Sequence, residues 1–420
     1  MKNTYARTAA TMTKDQKWVI VSTASGFSLE NMDIMFLSFA LTPIIANLHI
    51  SQGAAGLIGT ITNLGMLVGG ALFGLLGDKI GRVKTFSHTI FIFAIATGLM
   101  YFAHSLPAIY GLRFLAGIGA GGEYGVGMAL IAENFAANHV GRMTSVAAIG
   151  GQIGAIFAAL MASFIIPRFG WNTLFLLGII PVVLTYFVRR HLKESDAFLA
   201  ARKNAQQTNQ KISFTRLFET PKMTFQTLGL MVMTIVQIAG YFGLMNWLPS
   251  IVQKQQGLSV SKSSIWMIAT IIGMSCGMVV FGYIMDKFGA KLAFSIFLIG
   301  SALVLFVILK AHTALTMILS GMLIGFFSNG MFGGYGAVIS RLYPTEIRAT
   351  ANNVIMNVGR AIGGFSSLVI GLLMQYFNLT VTMMFLSGLY IISFIVMQLL
   401  PGFKTLSNPK ETPVAQEQEA

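Results

Sequence analysis

Charge is scarce in this chain. Only 10% of its 420 residues are Asp, Glu, Lys or Arg, against about 25% in an ordinary soluble domain, which argues against a water-soluble globular fold. Acids are the rarer sign: 14 Asp and Glu face 28 Lys and Arg, for a formal net charge of +14. Cysteine is nearly absent. Cys276 stands alone in an apolar run, so neither a disulfide nor a cysteine metal site is expected, and it reads as a small packing residue. Metal-ligand spacings, a nucleophile triad and a phosphate loop are also missing, so the chain is not read as an enzyme and no cofactor is expected. The string "GIGAGG" (residues 117–122) superficially resembles a dinucleotide fingerprint. It sits inside an apolar run with no strand before it, where that chemistry does not apply.

What the chain does have is apolar length. Hydrophobic residues make up 55% of it, and they fall into runs long enough to cross a ~30 Å hydrocarbon core as helices. Twelve such runs are read, at residues 18–46, 54–76, 86–104, 107–134, 143–166, 170–189, 223–253, 263–285, 292–310, 313–342, 349–376 and 380–401. They lack the period-2 alternation of a membrane barrel. The fold class expected is therefore an all-α membrane protein of twelve transmembrane helices.

The basic excess has a placement. Lys and Arg crowd into alternate connections, such as 79–84, 189–222, 287–291, 341–348 and 404–410, while the intervening ones hold only Arg168, Lys254, Lys262 and Lys310. By the positive-inside rule both termini and the 190–222 loop are expected in the cytoplasm of a cell-membrane protein. The charge is a topology signal, and no nucleic-acid partner is implied. The amino terminus is polar and the first apolar run too long for a cleavable signal peptide.

The stretch 191–222 is the only long polar connection, and it divides the chain evenly. The domains expected are a six-helix bundle over 1–190, a central cytoplasmic loop over 191–222, a second six-helix bundle over 223–402 and a tail over 403–420. The halves echo each other. "GDKIGRVK" (residues 77–84) and "MDKFGAK" (residues 285–291) place Asp78 and Asp286 208 positions apart, and the same offset carries "GIGAGGEYG" onto "GFFSNGMFG". Internal duplication with a site between the copies is a transporter architecture.

On these motifs the chain resembles the major facilitator superfamily over essentially its whole length. "GLLGDKIGRVK" is similar to the family's loop signature. The second copy departs from it at Ala290. "YPTEIRAT" (residues 343–350) resembles the Pro-x-Glu-x-Arg motif after span ten, while "ENFAANHVGR" (residues 133–142) keeps Glu133 and Arg142 without the proline. The resemblance implies conformational gating by Gly77, Asp78, Gly81, Arg82, Glu133, Arg142, Asp286, Glu346 and Arg348. Physically, Asp78 near a helix end can meet the positive amino-terminal end of a neighbouring helix and nearby arginines. Lys84 and Lys291 read as solvated loop charges.

Within the spans, ionisable residues are few and costly, at least ~2.5–3.5 kcal/mol each near the centre, so they mark function. They are Glu30 and Asp33 in span one, Arg113 and Glu123 in span four, and Arg360 in span eleven. At ~1.5 Å per residue from the nearest cytoplasmic end, Asp33 and Arg113 fall ~24 and ~30 Å deep, Glu123 and Arg360 ~15 and ~18 Å. Glu30 and Asp33 share a helix face. Two such carboxylates in low dielectric do not both ionise comfortably, and Arg113 favours the ionised form of whichever acid it meets. A static salt bridge is the bland alternative.

Asp33 and Arg113 match the proton-coupling pair of proton-linked sugar and carboxylate members, which implies that Asp33 carries the proton while Glu30 tunes it or contacts substrate. "RFLAGIGAGGEYG" is similar to span four of the metabolite and sialate/lactate symporter branches. Gly117, Gly121 and Gly125 have the small-xxx-small spacing of close helix packing. "MNVGRAIGG" in span eleven is similar to the Asn-x-Gly-Arg of the same organic-acid branches. It makes Arg360, with Asn357 on the same face, a candidate carboxylate clamp, since the planar guanidinium offers two parallel hydrogen bonds. Pairing of Arg360 with Glu123 or Glu30 is the alternative. Gln152 occupies the corresponding place in the first half, and it and Glu123 are further substrate-binding candidates. Gln237 and Tyr241 in span seven are further cavity candidates, joined by Asn329 and Tyr335 in span ten, and Trp247 is equally an interfacial anchor.

The function expected is proton-coupled symport of a small organic anion, a monocarboxylate or aromatic carboxylate, by a carrier working as a monomer. A sugar or polyol symporter and a drug exporter are the alternatives. Span eight offers few amides for a sugar, and the proline-glycine signature of span five in drug exporters is absent. A transporter-like sensor would carry a larger loop or tail than 191–222 or 402–420.

Overall fold

The computed structural model describes residues 12–180, 183, 191–207, 213–256, 260–311 and 313–406. The first half contains α1 (Lys14–Leu48), α2 (Gln52–Ile80), α3 (Arg82–Leu99), α4 (Leu106–Asn134), α5 (Ala137–Phe169) and the short α6 (Trp171–Leu174). The central connection carries α7 (Asp196–Gln207). The second half contains α8 (Pro221–Gln256), α9 (Val260–Phe288), α10 (Ala290–Val304), α11 (Ala314–Gly330), α12 (Phe332–Leu342), α13 (Arg348–Gly363), α14 (Ser366–Tyr376), α15 (Leu379–Leu399) and α16 (Pro401–Thr405). No strand occurs among the described residues.

Eleven of the described helices are long and apolar enough to cross a membrane. The expected span at 170–189 begins as α6 and a 3-10 turn over Phe175–Ile179, and most of its remainder lies outside the described residues. Local chemistry sets the helix ends. Thr13 and Gln16 form a reciprocal capping box at the start of α1, satisfying two otherwise orphaned donors. Ser51 caps α2, and Asn378 caps α15.

The duplication reaches the backbone. The chain turns from α2 into α3 at Gly81, φ 128°, and from α9 into α10 at Gly289, φ 92°. These two glycines share the 208-residue offset, and both adopt a left-handed backbone that an L side chain resists. Two expected single spans are broken. Residues 313–342 divide at Met331 between α11 and α12. Residues 349–376 divide at Gly364 and Phe365 between α13 and α14. Both breaks fall in glycine-containing strings, "SNGMFGG" and "GRAIGGF", where the helix ladder is easiest to interrupt.

Packing within the first half pairs α2 with α4, α1 with α5 and α3 with α4; in the second, α9 pairs with α11, α10 with α15 and α8 with α13. The small residues of α4 work as their spacing implies. A side chain at Gly117 would strike the Thr62 carbonyl, and one at Gly121 the Met66 carbonyl, both on α2. Gly125 instead faces Asn353 of α13, across the boundary between halves. That boundary is formed by α2 and α4 against α13 and by α5 against α9 and α12. Large apolar side chains such as Leu64, Leu72, Phe164, Leu319 and Ile395 point outward, as a lipid-facing surface requires.

Candidate functional site

Two ion pairs among the described residues lie deep within the spans. Asp33 of α1 meets Arg113 of α4 at 2.8 Å, and both oxygens of the carboxylate accept from Nη1, at 2.9 and 2.8 Å. The Thr97 hydroxyl donates to Asp33 at 3.0 Å, and Nε of Arg113 donates to the Thr62 hydroxyl at 3.3 Å. The pair lies wholly within the first half, with Asp33 3% and Arg113 0% exposed. A buried pair with satisfied hydrogen bonds is stable as it stands, and expensive to break from one side only.

The second pair joins the halves. Glu30, one helical turn from Asp33, reaches Arg360 of α13 at 2.7 Å. Arg360 therefore pairs with the first of the two acids and Arg113 with the second. The guanidinium also lies 5.7 Å from the centre of the Tyr124 ring, within range of a cation–π attraction. Glu123, the neighbour of Tyr124 on α4, feels the charges of both Glu30 and Arg360. It is 1% exposed, and neither of its carboxyl oxygens has a hydrogen-bond partner among the described residues. Three ionisable groups thus share one region, two acids to one base.

Asn357 and Gln152 take different places. The Asn357 amide donates to the Gly121 carbonyl of α4 at 2.8 Å and to Asn353 O at 2.9 Å. It ties α13 to α4, and only its carbonyl oxygen is left without a partner. Gln152 is buried on α5, in the glycine-rich stretch where Gly150 and Gly154 meet the α1 backbone.

A third set of charges closes the two halves on the face that carries the loop motifs. Asp78 accepts from the backbone N–H groups of Ala349 and Thr350, at 3.2 and 2.8 Å, and from the Thr350 hydroxyl at 2.6 Å. These are the first residues of α13, so the carboxylate caps a helix of the other half, where the helix dipole favours it. Arg82 holds Asp78 at 2.8 Å and Glu133 at 3.1 Å, and it donates to the carbonyls of Gly77 at 2.5 Å and Thr345 at 2.6 Å. Arg348 stands 3.8 Å from the same Glu133.

Asp286 repeats the device in the opposite direction. It accepts from the N–H groups of Gly141 and Arg142 at 2.8 and 2.9 Å, near the start of α5. Arg142 Nε adds a bond at 3.2 Å although its side chain is 43% exposed. Glu346 is half-buried and makes none of the described ion pairs. The Thr345 carbonyl and Arg348 make the contacts in its segment.

With this geometry in place, the chain can be compared with known proteins. The Major Facilitator Superfamily profile matches residues 23–291 and again 230–419. The chain belongs to the Major Facilitator Superfamily. A Haemophilus influenzae chain provisionally named as a metabolite transport protein is 38% identical over 390 residues, 92% of this chain and 96% of its own length. The sialic acid transporter NanX of Escherichia coli is 28% identical, covering 88% and 90%. The niacin transporter NiaP of Acinetobacter baylyi is 26% identical, covering 84% and 85%. Among solved structures, the proton:xylose symporter XylE superposes with a TM-score of 0.77 at 18% identity, over 94% of this chain and 98% of that one. That likeness shows the shared fold. This superfamily chain is accordingly a multi-pass membrane transporter and not an enzyme.

The remaining candidates divide. In this transporter Gln237 is fully buried on α8 and donates to the Ser328 carbonyl and to Asn329 Oδ1, both at 3.0 Å. Tyr335 donates to the Met233 carbonyl at 3.3 Å. Gln237, Asn329 and Tyr335 therefore hold α8 to α11 and α12. Tyr241 is half-buried and packs edge-on against Phe242 at 5.4 Å. Asn246 and Trp247 lie on α8, with side chains outside the described ones.

Three functional-looking residues were not legible in the sequence. Glu194, in the polar central connection, accepts from the N–H groups of Arg82, Val83 and Lys84 at 2.7, 3.1 and 3.3 Å and so caps α3. Ser195 donates to Glu133 at 2.6 Å, and the ring of Phe198 lies 4.5 Å from the Arg82 guanidinium. Nothing local distinguishes "KESDAF" from solvated loop. Its only signal was an acid and an aromatic beside a basic cluster.

Proposed function

We propose that this transporter carries a small organic anion together with a proton, and that Arg360 binds the substrate's carboxylate. The observation that carries the reading is the 2.7 Å contact between Glu30 and Arg360. Glu30 brings a carboxylate to a guanidinium that belongs to the other half of the molecule, and so stands where a substrate carboxylate would stand. An incoming anion takes Arg360 from Glu30, and the α1–α13 link across the halves passes from a protein group to the ligand. Relatives named for niacin, muconate and benzoate transport are consistent with a carboxylate ligand.

The proton has a separate place in this reading. Asp33 with Arg113 lies within one half, with Thr97 and Thr62 around it. Protonation of Asp33 weakens its attraction for Arg113 and loosens the guanidinium, which keeps its bond to Thr62. Loss of the proton restores the pair. The caps made by Asp78 and Asp286 hold one face closed, and in this reading the site takes substrate from the other. With the basic loops in the cytoplasm of a cell membrane, this is the conformation that receives substrate from outside. The bundles correspond to residues 1–190 and 223–402, and each chain carries a complete site, so a monomer suffices.

Arg360→Lys tests the clamp. It keeps the charge and loses the planar fork, which should weaken carboxylate binding by about 1.5–3 kcal/mol. Binding of benzoate and nicotinate to purified protein, followed by isothermal calorimetry, measures this. Wild-type affinity in the variant would return Arg360 to a purely structural role.

A further inference from the structure

The central site holds a carboxyl group to which no described residue hydrogen-bonds. Both Glu123 oxygens are buried without a hydrogen-bond partner. A buried carboxyl group left unpaired is costly. Glycine on the neighbouring helix makes room for the carboxyl group itself. Gly26 on α1 lies so close that a side chain there would overlap Glu123 Oε1. The donors beside it on α13 are already committed to α4: Asn357 Nδ2 to the Gly121 carbonyl and Asn353 Nδ2 to the Gly122 carbonyl. Arg360, the cation whose charge Glu123 feels, is taken up by Glu30 at 2.7 Å. The remaining unpartnered atom of Asn357 is also an acceptor, Oδ1. Among the described residues, the unpartnered side-chain oxygens of Glu123 and Asn357 thus offer acceptors to a ligand's donor.

Resting on the reading that Arg360 takes a carboxylate, we propose that Glu123 selects the other end of the substrate: an organic acid carrying a second group that donates a hydrogen bond, a hydroxyl or an N–H. The carboxylate replaces Glu30 on Arg360, and the donor satisfies Glu123. The two acids then have distinct tasks. Glu30 holds the place of the ligand's anion, and Glu123 receives its donor. A hydrocarbon acid of the same size leaves Glu123 as it found it. A site built to receive a hydrogen-bonding group rejects an analogue lacking that group far more strongly than it rejects a missing methylene.

The test compares near-isosteric pairs. Binding of 3-hydroxybenzoate against 3-methylbenzoate, and of lactate against propionate, is measured by calorimetry on the full-length protein; 3-aminobenzoate distinguishes an N–H from an O–H donor. At least one donor-bearing acid should bind about tenfold or more tightly than its partner without the donor. In Glu123→Leu that ratio should fall toward one, and in Glu123→Gln, whose amide oxygen still accepts a hydrogen bond, it should fall only in part. Equal affinities within both pairs in the wild-type protein overturn the assignment of Glu123, as does a preference that survives in Glu123→Leu. If none of these acids binds, the carboxylate reading of Arg360 fails, and this inference falls with it.

Discussion

Replacing Glu30 by Gln removes the charge that competes with substrate for Arg360 and preserves the side-chain shape. At an effective dielectric of ~20, unit charges ~4 Å apart attract by ~4 kcal/mol, which sets a ceiling on the gain. Charge-assisted contacts contribute about 1.5–3 kcal/mol net, and the Gln amide retains part of that as a neutral acceptor for Arg360. Glu123 also remains near the guanidinium as a second carboxylate, which takes the expected gain to the low end, about 1.5 kcal/mol, or roughly tenfold in affinity. The assay is calorimetric titration of benzoate and nicotinate into wild type and Glu30→Gln at one pH and salt concentration. Tighter binding in the variant fits a place-holding carboxylate. Unchanged or weaker binding refutes the displacement argument, because Glu30 would then either leave Arg360 at no cost or contact the ligand itself.

Two further outcomes follow from the other ion pairs. Asp78→Asn gives up the charge on its bonds to the first turn of α13, so the closed face should open more often. With Ala349→Cys, a position fully buried in that interface, in a Cys276→Ser background, labelling by a membrane-impermeant maleimide should accelerate about tenfold, and an unchanged rate would show that Asp78 does not hold the closure. Arg113→Ala strands a buried carboxylate and should cost about 3–5 kcal/mol; the double variant Asp33→Asn/Arg113→Gln should retain more stability, read as unfolding half-life in detergent, and the opposite order contradicts the pairing.

Much of this was legible because membranes impose simple rules. Eleven of the twelve expected spans followed from run length, and in the remaining one, at 170–189, most residues beyond Ile179 lie outside the described ones. The repeat was visible in Asp78 and Asp286, and its backbone counterpart, Gly81 and Gly289, sits at the same offset. Asp33 and Arg113 were paired from family resemblance and depth, and they do meet. Depth along a helix is readable from sequence; azimuth between helices is not. That is why the partner of Arg360 was open between Glu30 and Glu123, and why Asn357, placed at the substrate from its shared face with Arg360, turns out to bind the α4 backbone. The breaks at Met331 and at Gly364 were missed because hydropathy averages over them. Glu194 was invisible for another reason: a cap from a distant loop leaves no periodic trace in its own segment.

The central claim, that proton movement through Asp33 drives uptake of an organic anion, is tested most directly in reconstituted vesicles. An imposed inside-alkaline pH gradient should drive wild-type protein to accumulate labelled nicotinate or benzoate above the external concentration. Asp33→Asn should abolish that accumulation while still exchanging internal for external substrate without a gradient, since exchange needs only the loaded carrier to reorient. Accumulation by Asp33→Asn equal to wild type, or wild-type uptake indifferent to the gradient, would contradict the account.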